Sequence, residues 1–373
     1  MTEATLDAVP APGRSLWSDA WRRLRENKAA TVSAIYLVFM TLLCIFGPYL
    51  TGHTFTTIYR DYVRVPPSLS TYPADEQVEG ALEAALVRGR VELSSWREQG
   101  ERVIVEVTAS RPIDERIIRY LDRSSLFEDG RVEDVAGNRL AMTMSAAMEE
   151  NYFFFGTDNN GRDLLTRTLI AGRVSLAIGL LAGIVAVVIG VIYGAVSGYL
   201  GGKVDEIMMR IVDILYSLPF IFFVILLVVF FGRNFILMFI AVGAVLWLDM
   251  ARIVRGQTLS IKRQEYVQAA VALGVSSREI VRRHVVPNTL GPVAIYMTLL
   301  VPQVIILESF LSYLGLGVQE PMTSWGVLIA EGADNIPAAK WMLIFPSIFL
   351  TSTLFALNFL GDGLRDALDP KDR

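Results

Sequence analysis

Six apolar runs constrain the fold more than any other feature of the sequence. A helix needs about 20 apolar residues to cross a bilayer, and the runs span 29–50, 174–200, 214–231, 235–254, 293–314 and 341–360. Hydrophobic residues make up 53% of the chain and charged residues only 19%, a balance unlike that of a soluble domain. We therefore predict an all-α polytopic membrane protein with six transmembrane helices.

The basic residues predict how these helices are oriented. Short loops rich in Lys and Arg stay in the cytoplasm, and Arg22, Arg23, Arg25 and Lys28 precede the first run. Residues 1–28 are then a cytoplasmic N-terminal segment, with an amphipathic helix over Ser15–Asn27. Residues 29–50 form an uncleaved first transmembrane helix. Six crossings also leave the tail, 362–373, in the cytoplasm.

Residues 51–170 form the one long polar region and are expected outside the cytoplasm. They carry 14 arginines and 20 acidic residues. The alternating segments VELSSW and RVIVEV predict a β-hairpin, and EQVEGALEAALVRG and IDERIIRYLDRSS predict helices on either side of it. The sequence thus predicts an α+β extracytoplasmic insertion between the first and second transmembrane helices. Whether it contacts a binding protein or is only an insertion stays open.

An interfacial helix over Arg162–Ala171 is expected to lead into the five-helix core, 171–361. Within this core we expect a short polar turn over Gly201–Asp213. The core is also interrupted by a basic loop over 255–290. Glu265–Leu273 is a good helix former followed by Gly274, which suits the left-handed residue after a helix. Ser276 and Glu279 match a capping box that starts a second helix, and Pro287 predicts its end. A structured, basic loop at the cytoplasmic face indicates a docking site for another protein.

Several kinds of catalytic site are excluded by their missing motifs. Gly201-Gly202-Lys203 lacks the remaining residues of a P-loop, and the chain has no nucleophile elbow or zinc-protease motif. Cys44 is the only cysteine, and His53 and His284 lack ligand spacing. We therefore expect no enzyme activity, cofactor or metal in this chain by itself.

The basic loop resembles the EAA loop of ABC importer permeases. Gln268-Ala269-Ala270, Gly274 and Pro287 keep its spacing, with Gln268, His284 and Val286 as departures. Further segments resemble the C-type permease subunit of dipeptide and oligopeptide importers, so that the resemblance covers 14–53 and 152–370. These segments are WRRLRENKAATVSAIYLVF at 21–39, GTDNNGRDLLTR at 156–167, Trp247–Asn288, ESFLSYLGLG at 308–317, Ser324-Trp325-Gly326 and GDGLRDALDP at 361–370.

This resemblance implies a permease subunit of an ATP-driven importer in the bacterial inner membrane, with both termini cytoplasmic. Such a subunit forms half of a pathway for peptides or similar small solutes and works by alternating access. The implied partners are a homologous permease, two cytoplasmic ATPase subunits that bind ATP and Mg, and an extracytoplasmic solute-binding protein. The sequence does not identify the substrate.

Two groups of site residues follow from the resemblance and from the apolar runs. The first group would couple to the ATPase subunits, with Tyr266 as an anchor, the alanines allowing close approach and the charged residues at the rim. Its members are Glu265, Tyr266, Gln268, Ala269, Ala270, Gly274, Arg278, Arg282 and Pro287. The second group would line the pathway or pack the helices, and it consists of Glu308, Pro302, Pro219, Gly190 and Gly194.

Alternative interpretations remain for the ionisable residues. Glu308 inside the membrane indicates either a proton or cation site, as in an ion-coupled secondary carrier, or a hydrogen-bonded packing residue. A membrane receptor or sensor would instead use 51–170 to bind a ligand. Asp158 and Asp163 are expected to cap a helix and pair with arginines, because no nucleophile lies nearby. Asp249 is expected to pair with Arg252.

Overall fold

The computed structural model describes residues 16–100, 102–124, 126–231 and 235–368. The features expected for 1–15, for the turn at 232–234 and for 369–373 lie outside these residues. The described chain divides into two compact units. The first contains the residues up to Cys44, Gly172–Val327 and the residues from Ile348 on, and the second contains Ile45–Ala171 and Leu328–Ser347.

Helices dominate the described residues. The helices are α1 Leu16–Glu26, α2 Lys28–Phe46, α3 Asp75–Gly89, α4 Ile118–Leu121, α5 Leu164–Leu200, α6 Gly202–Tyr216, α7 Phe220–Phe231, α8 Phe235–Ile261, α9 Glu265–Ala272, α10 Ser277–Ile280, α11 Val286–Tyr313, α12 Trp325–Asp334 and α13 Trp341–Leu368. The strands are β1 Glu92–Gln99, β2 Arg102–Thr108, β3 Phe127–Val135 and β4 Ala141–Met148.

Four helical segments of the described chain are long and apolar enough to cross a membrane. They are Lys28–Tyr49, Leu164–Leu200, Ser277–Tyr313 and Trp341–Leu368. The mostly helical, membrane-spanning architecture predicted from the apolar runs therefore agrees with the structure.

The boundaries predicted for residues 201–213 and 162–171 differ from those of the structure. Residues 201–213 are not a polar turn, because Gly201 and Gly202 (φ +69° and +55°) reverse the chain within two residues and α6 begins at once. The expected short interfacial helix over 162–171 is part of α5, which continues for 37 residues. No proline interrupts Leu164–Leu200, so nothing in the sequence ends the helix earlier.

The helix expected to end at or before Pro287 also continues. A π-helical turn, Val281–Val285, follows α10 and leads directly into α11, with Pro287 in the first turn of α11. The N–H of Val286 donates to the carbonyl of Val281. Proline is tolerated in a first turn because its missing N–H would have no helical partner there.

The second unit contains an antiparallel sheet in the order β1-β2-β4-β3. Val103, Val105 and Val107 of β2 point to its buried face, where α3 and α4 complete the core. β1 and β2 lie at the segments that predict a hairpin. The second expected helix is only a 3-10 turn, Glu115–Ile117, and the single turn of α4.

A seam of glycines brings α5 and α8 together in the first unit. A Cβ on Gly190 would lie 2.9 Å from the carbonyl oxygen of Trp247, and one on Gly194 would lie 2.4 Å from that of Ala251. A Cβ on Gly198 would lie 2.9 Å from the carbonyl oxygen of Arg255. The four-residue spacing therefore lets two backbones touch. Gly190 and Gly194, selected as pathway or packing residues, lie in this helix contact.

Replacing Gly194 by Ala is expected to destabilise the protein. The added Cβ meets backbone atoms, which cannot rotate away, so we expect a loss of about 1–3 kcal/mol. Gly256→Ala on α8 is the matched control, because its Cβ would meet nothing within 4 Å and Ala favours a helix by roughly 0.5–1 kcal/mol. Thermal unfolding in detergent measures both. Equal stability of the two variants would contradict the close approach of these helices.

Candidate coupling site

Helix α9 packs one face on the bundle and exposes the other. Val267 and Ala270 are buried in a cluster that includes Val254 and Ile261 of α8. On the other side Tyr266 is 45% exposed and Leu273, just after the helix, is 84% exposed. Ala269 is also exposed. We expected Ala270 at the docking surface. In this conformation its side chain packs in the buried cluster with Val254 and Ile261.

The end of α9 is a complete Schellman motif. The N–H of Gly274 donates to the carbonyl of Val271 at 3.0 Å, and the N–H of Val275 donates to that of Ala270 at 3.1 Å. Gly274 has φ +78°, the left-handed conformation predicted for it. A Cβ at Gly274 would meet nothing within 4 Å. The backbone conformation, not crowding within this chain, therefore requires the glycine.

Polar contacts attach α9 to the end of α5. The ammonium of Lys262 donates to the carbonyl oxygen of Tyr199 at 2.5 Å and lies 5.3 Å from the centre of its ring. Nε2 of Gln268 donates to the carbonyl oxygen of Lys262 at 2.8 Å. An ionised glutamate at 268 has no N–H to donate. The departure from Glu at this position therefore supplies the bond that closes the turn between α8 and α9.

An ion pair joins α6 to α8 next to Gly198, the last glycine of the seam. Arg255 donates from Nε and Nη2 to the two carboxylate oxygens of Asp205, both at 2.6 Å, and the hydroxyl of Ser197 also donates to Asp205. The hydrogen bond from Arg255 is the largest influence that holds the pKa of Asp205 below its ordinary value. Asp205 was missed because residues 201–213 were interpreted as a turn, although Arg255 at a membrane boundary signals the need for an acidic partner.

The charged residues selected in the loop have exposed side chains. Glu265, Arg278 and Arg282 are exposed. Ser276 caps α10 by accepting from the N–H of Glu279 at 3.4 Å, while the carboxylate of Glu279 pairs with Arg283. Pro287 is exposed in the first turn of α11.

Glu308 of α11 is held by serine hydroxyls. Its Oε1 accepts from Ser312 at 2.7 Å and from Ser324 at 2.6 Å, and the residue is fully buried. The adjacent N–H of Trp325 donates to the hydroxyl of Ser175 on α5 at 3.1 Å. These contacts pin the start of α12 to α11 and α5. Pro302 is buried in α11, and Pro219 is exposed before α7.

Two expected pairings can be compared with the geometry. Arg252 does not pair with Asp249 but donates to Asp213 of α6 at 2.8 Å, because α6 occupies the space that a turn would have left open. Asp158 accepts from the guanidinium groups of Arg162 and Arg167, as the cap-and-pair interpretation predicts. Asp163 caps α5 by accepting from the N–H of Thr166 at 2.7 Å.

We expect the Asp205–Arg255 pair to show a coupling of about 1–2 kcal/mol in a double-mutant cycle with Asp205→Asn and Arg255→Gln. Because the pKa of Asp205 is lowered in the folded chain, this contribution is present at neutral pH and is lost only as the pH falls below the ordinary range of aspartate. Thermal unfolding of the four proteins measures it. If the stability loss of the double variant at neutral pH equals the sum of the two single losses, the predicted coupling between Asp205 and Arg255 is contradicted.

Glu308→Leu is expected to be less stable than Glu308→Gln. Both substitutions remove the carboxyl group, but only Gln keeps an oxygen that accepts from Ser312 and Ser324. Leu leaves two buried hydroxyls without that acceptor, at about 1–3 kcal/mol. The unfolding temperatures of the two variants give the difference. A Leu variant as stable as the Gln variant would show that the serines do not depend on this residue.

Comparison with known proteins identifies the family. The model described as "Binding-protein-dependent transport system inner membrane component" matches residues 163–373. The model for the "N-terminal TM domain of oligopeptide transport permease C" matches residues 15–67.

Curated relatives match over nearly the whole chain. The oligopeptide transport system permease protein of Salmonella typhimurium is 60% identical over 98% of this chain and 95% of its own length. That of Haemophilus influenzae is 50% identical over 84% of this chain and 99% of its own length. The dipeptide transport system permease protein of Bacillus subtilis is 36% identical over 98% of this chain and 89% of its own length.

A solved structure, the MetNI methionine ABC transporter in inward-facing conformations, contains a chain similar at 20% identity and a TM-score of 0.46, covering 55% of this chain and 96% of that chain. The two family models, the identities of 36–60% and the apolar helices together show that this chain belongs to the inner-membrane permease components of binding-protein-dependent ABC transport systems.

Proposed function

We propose that the chain is one of two homologous permeases in an oligopeptide importer and forms half of the pathway. The relatives whose names specify oligopeptide transport support this substrate class, because they match this chain over most of both lengths. The other proposed components are a partner permease, two cytoplasmic ATPase subunits that bind ATP and Mg, and an extracytoplasmic solute-binding protein. In this assembly the chain itself hydrolyses no ATP.

We place six helices across the bilayer. The four long candidate spans account for four of them. We assign an outward crossing to the apolar run 214–231, of which α7 forms the main part, and a returning crossing to the run 235–254 within α8. The α+β subdomain then lies outside the cytoplasm. The basic loop over 255–290 and both termini lie inside, as the excess of Lys and Arg predicts.

The exposed face of α9 is the observation that carries the coupling role. Tyr266, Ala269 and Leu273 follow one another at spacings of three and four residues, so they share one side of the helix. A tyrosine and a leucine this exposed on a polar loop indicate a protein contact, since apolar anchors in pockets supply most of the energy of an interface. We assign this side of α9 to a groove on an ATPase subunit, with Glu265, Arg278 and Arg282 as rim charges.

The attachments of α9 define how motion of the ATPase subunits reaches the membrane. A push on α9 is transmitted to the end of α5 through Lys262 and to α8 through the buried contacts of Val267 and Ala270. The Asp205–Arg255 pair carries α6 along with α8. Closure of the two ATPase subunits would therefore move α5, α6 and α8 as a group, which is the displacement that alternating access requires.

We expect Leu273→Asp to release the ATPase subunits from the purified complex. A carboxylate in an apolar pocket is unpaired, so binding should weaken by about 1.4 kcal/mol or more, which is tenfold or more in the equilibrium constant. Leu273→Met is the matched control, since it keeps an apolar side chain of similar size. Co-purification through a tag on this chain and ATP-driven oligopeptide uptake in proteoliposomes are the measurements. Undiminished ATPase recovery and uptake in the Asp variant would contradict the assignment.

A further inference from the structure

The segment Tyr152–Phe155 of the second unit directs its aromatic residues to opposite sides. Phe153 is fully buried among Tyr59, Tyr62 and Tyr72. Its neighbours Tyr152 and Phe154 are 44% and 42% exposed, and their rings stack with centroids 5.9 Å apart. The exposed pair is therefore presented on the outside by the same segment that fills the core.

This segment is tied to the end of the first membrane-spanning helix. Nε2 of His53 lies 3.1 Å from the carbonyl oxygen of Tyr152, and the His53 ring stacks on Phe153. His53 comes only four residues after the 3-10 turn Gly47–Tyr49, which ends that helix. Residues so close in sequence cannot lie far from the helix end, since an extended chain spans at most about 3.6 Å per residue.

The same segment is tied to the beginning of the last membrane-spanning helix. Phe155 stacks on Phe345 of α13, with ring centroids 4.0 Å apart. Two residues further on, the carbonyl oxygen of Thr157 accepts from the indole N–H of Trp341, the first residue of α13, at 3.2 Å. The hydroxyl of Thr166 on α5 donates to that of Thr51 at 2.7 Å. The exposed pair thus lies level with the ends of α2, α5 and α13.

We propose that Tyr152 and Phe154, together with Tyr49 and Leu50, form an aromatic foot that inserts into the lipid headgroup region of the leaflet where α2 ends and α5 begins. Tyr49 and Leu50 are 79% and 85% exposed, so the exposed apolar surface of α2 extends to the end of the helix, and His53, which contacts Tyr152, follows three residues after Leu50. Aromatic rings concentrate at membrane–water interfaces because an apolar body and a polar tip both find partners there. The occupant is phospholipid because the patch continues a surface that already lies in the bilayer.

The foot has a consequence for the α+β subdomain. Phe153 belongs to the core of that subdomain, and its two neighbours in the chain would be held by lipid. Tyr152 and Phe154 would then hold the subdomain at the membrane surface, in addition to its contacts with the ends of α2, α5 and α13.

Spin-label accessibility tests the foot directly. The full chain with Cys44→Ser carries a single label at Phe154→Cys and is reconstituted in nanodiscs of phosphatidylethanolamine and phosphatidylglycerol. We expect oxygen, which concentrates in lipid, to relax the label more than a water-soluble nickel chelate does. Val87→Cys on α3, where the native side chain is 72% exposed, is the control and should show the opposite order.

Two outcomes overturn the proposal. Nickel access at 154 as high as at 87 would place the pair in water, and low access of both reagents would mean that protein covers it. Because the label replaces one ring of the pair, the unsubstituted chain is tested as well, with a phospholipid that carries a photoreactive group near its headgroup. Adducts on the peptide that contains Tyr152 and Phe154 are expected, and their absence while α2 is labelled would also overturn the proposal.

Discussion

The close approach of α5 and α8 is the contact on which the rest of the first unit depends. Three glycines at four-residue spacing remove every side chain from one stripe of α5, so that carbonyl oxygens of α8 lie where Cβ atoms would otherwise be. Dispersion contacts between backbones require this proximity, and a bilayer supplies no hydrophobic force to replace them. The seam therefore fixes the distance between the two helices and their relative position along the helix axes.

The relative position of α5 and α8 along their axes decides which polar groups meet at the end of the bundle. With Gly198 against the backbone of Arg255, the guanidinium reaches Asp205 on α6, and Lys262, two turns further along, reaches the last carbonyls of α5. A cation at a helix C-terminus is stabilised by the unpaired carbonyl groups there. The basic loop is thus attached to the bundle at defined points. A rigid attachment of this kind is what a loop needs if it is to transmit force from a partner.

The sequence predicted what depends on local pattern and did not predict what depends on a partner in space. Long apolar helices, the glycine spacing and the left-handed Gly274 follow from length, size and backbone preference, and the structure contains four apolar spans, the glycine contact and the left-handed residue. The family resemblance was carried by motifs with fixed spacing, and it is confirmed. Helix α6 was missed because a charged, half-apolar segment after two glycines has the composition of a turn.

Further misses have the same cause. Arg252 pairs with Asp213 only because α6 exists, so an i,i+3 argument chose the wrong acid. Ala270 is buried because α9 lies against α8, which no property of α9 alone reveals. Strand β3 carries Glu128, Asp129, Gly130 and Glu133 at the edge of its sheet, where polar residues and bulges are tolerated, so its sequence does not read as a strand. Leu273 was passed over because a leucine in a helix-forming run is ordinarily a core residue.

We propose that ATPase subunits act on this permease at the exposed side of α9. A photoreactive amino acid at position 273 of the full chain in living cells, with mass spectrometry of what it captures, tests this contact. We expect a cross-link to a cytoplasmic P-loop ATPase subunit, with a yield that changes when ATP is depleted. Capture of lipid alone, of another copy of this chain, or of no protein in a complex that still imports peptides would contradict it.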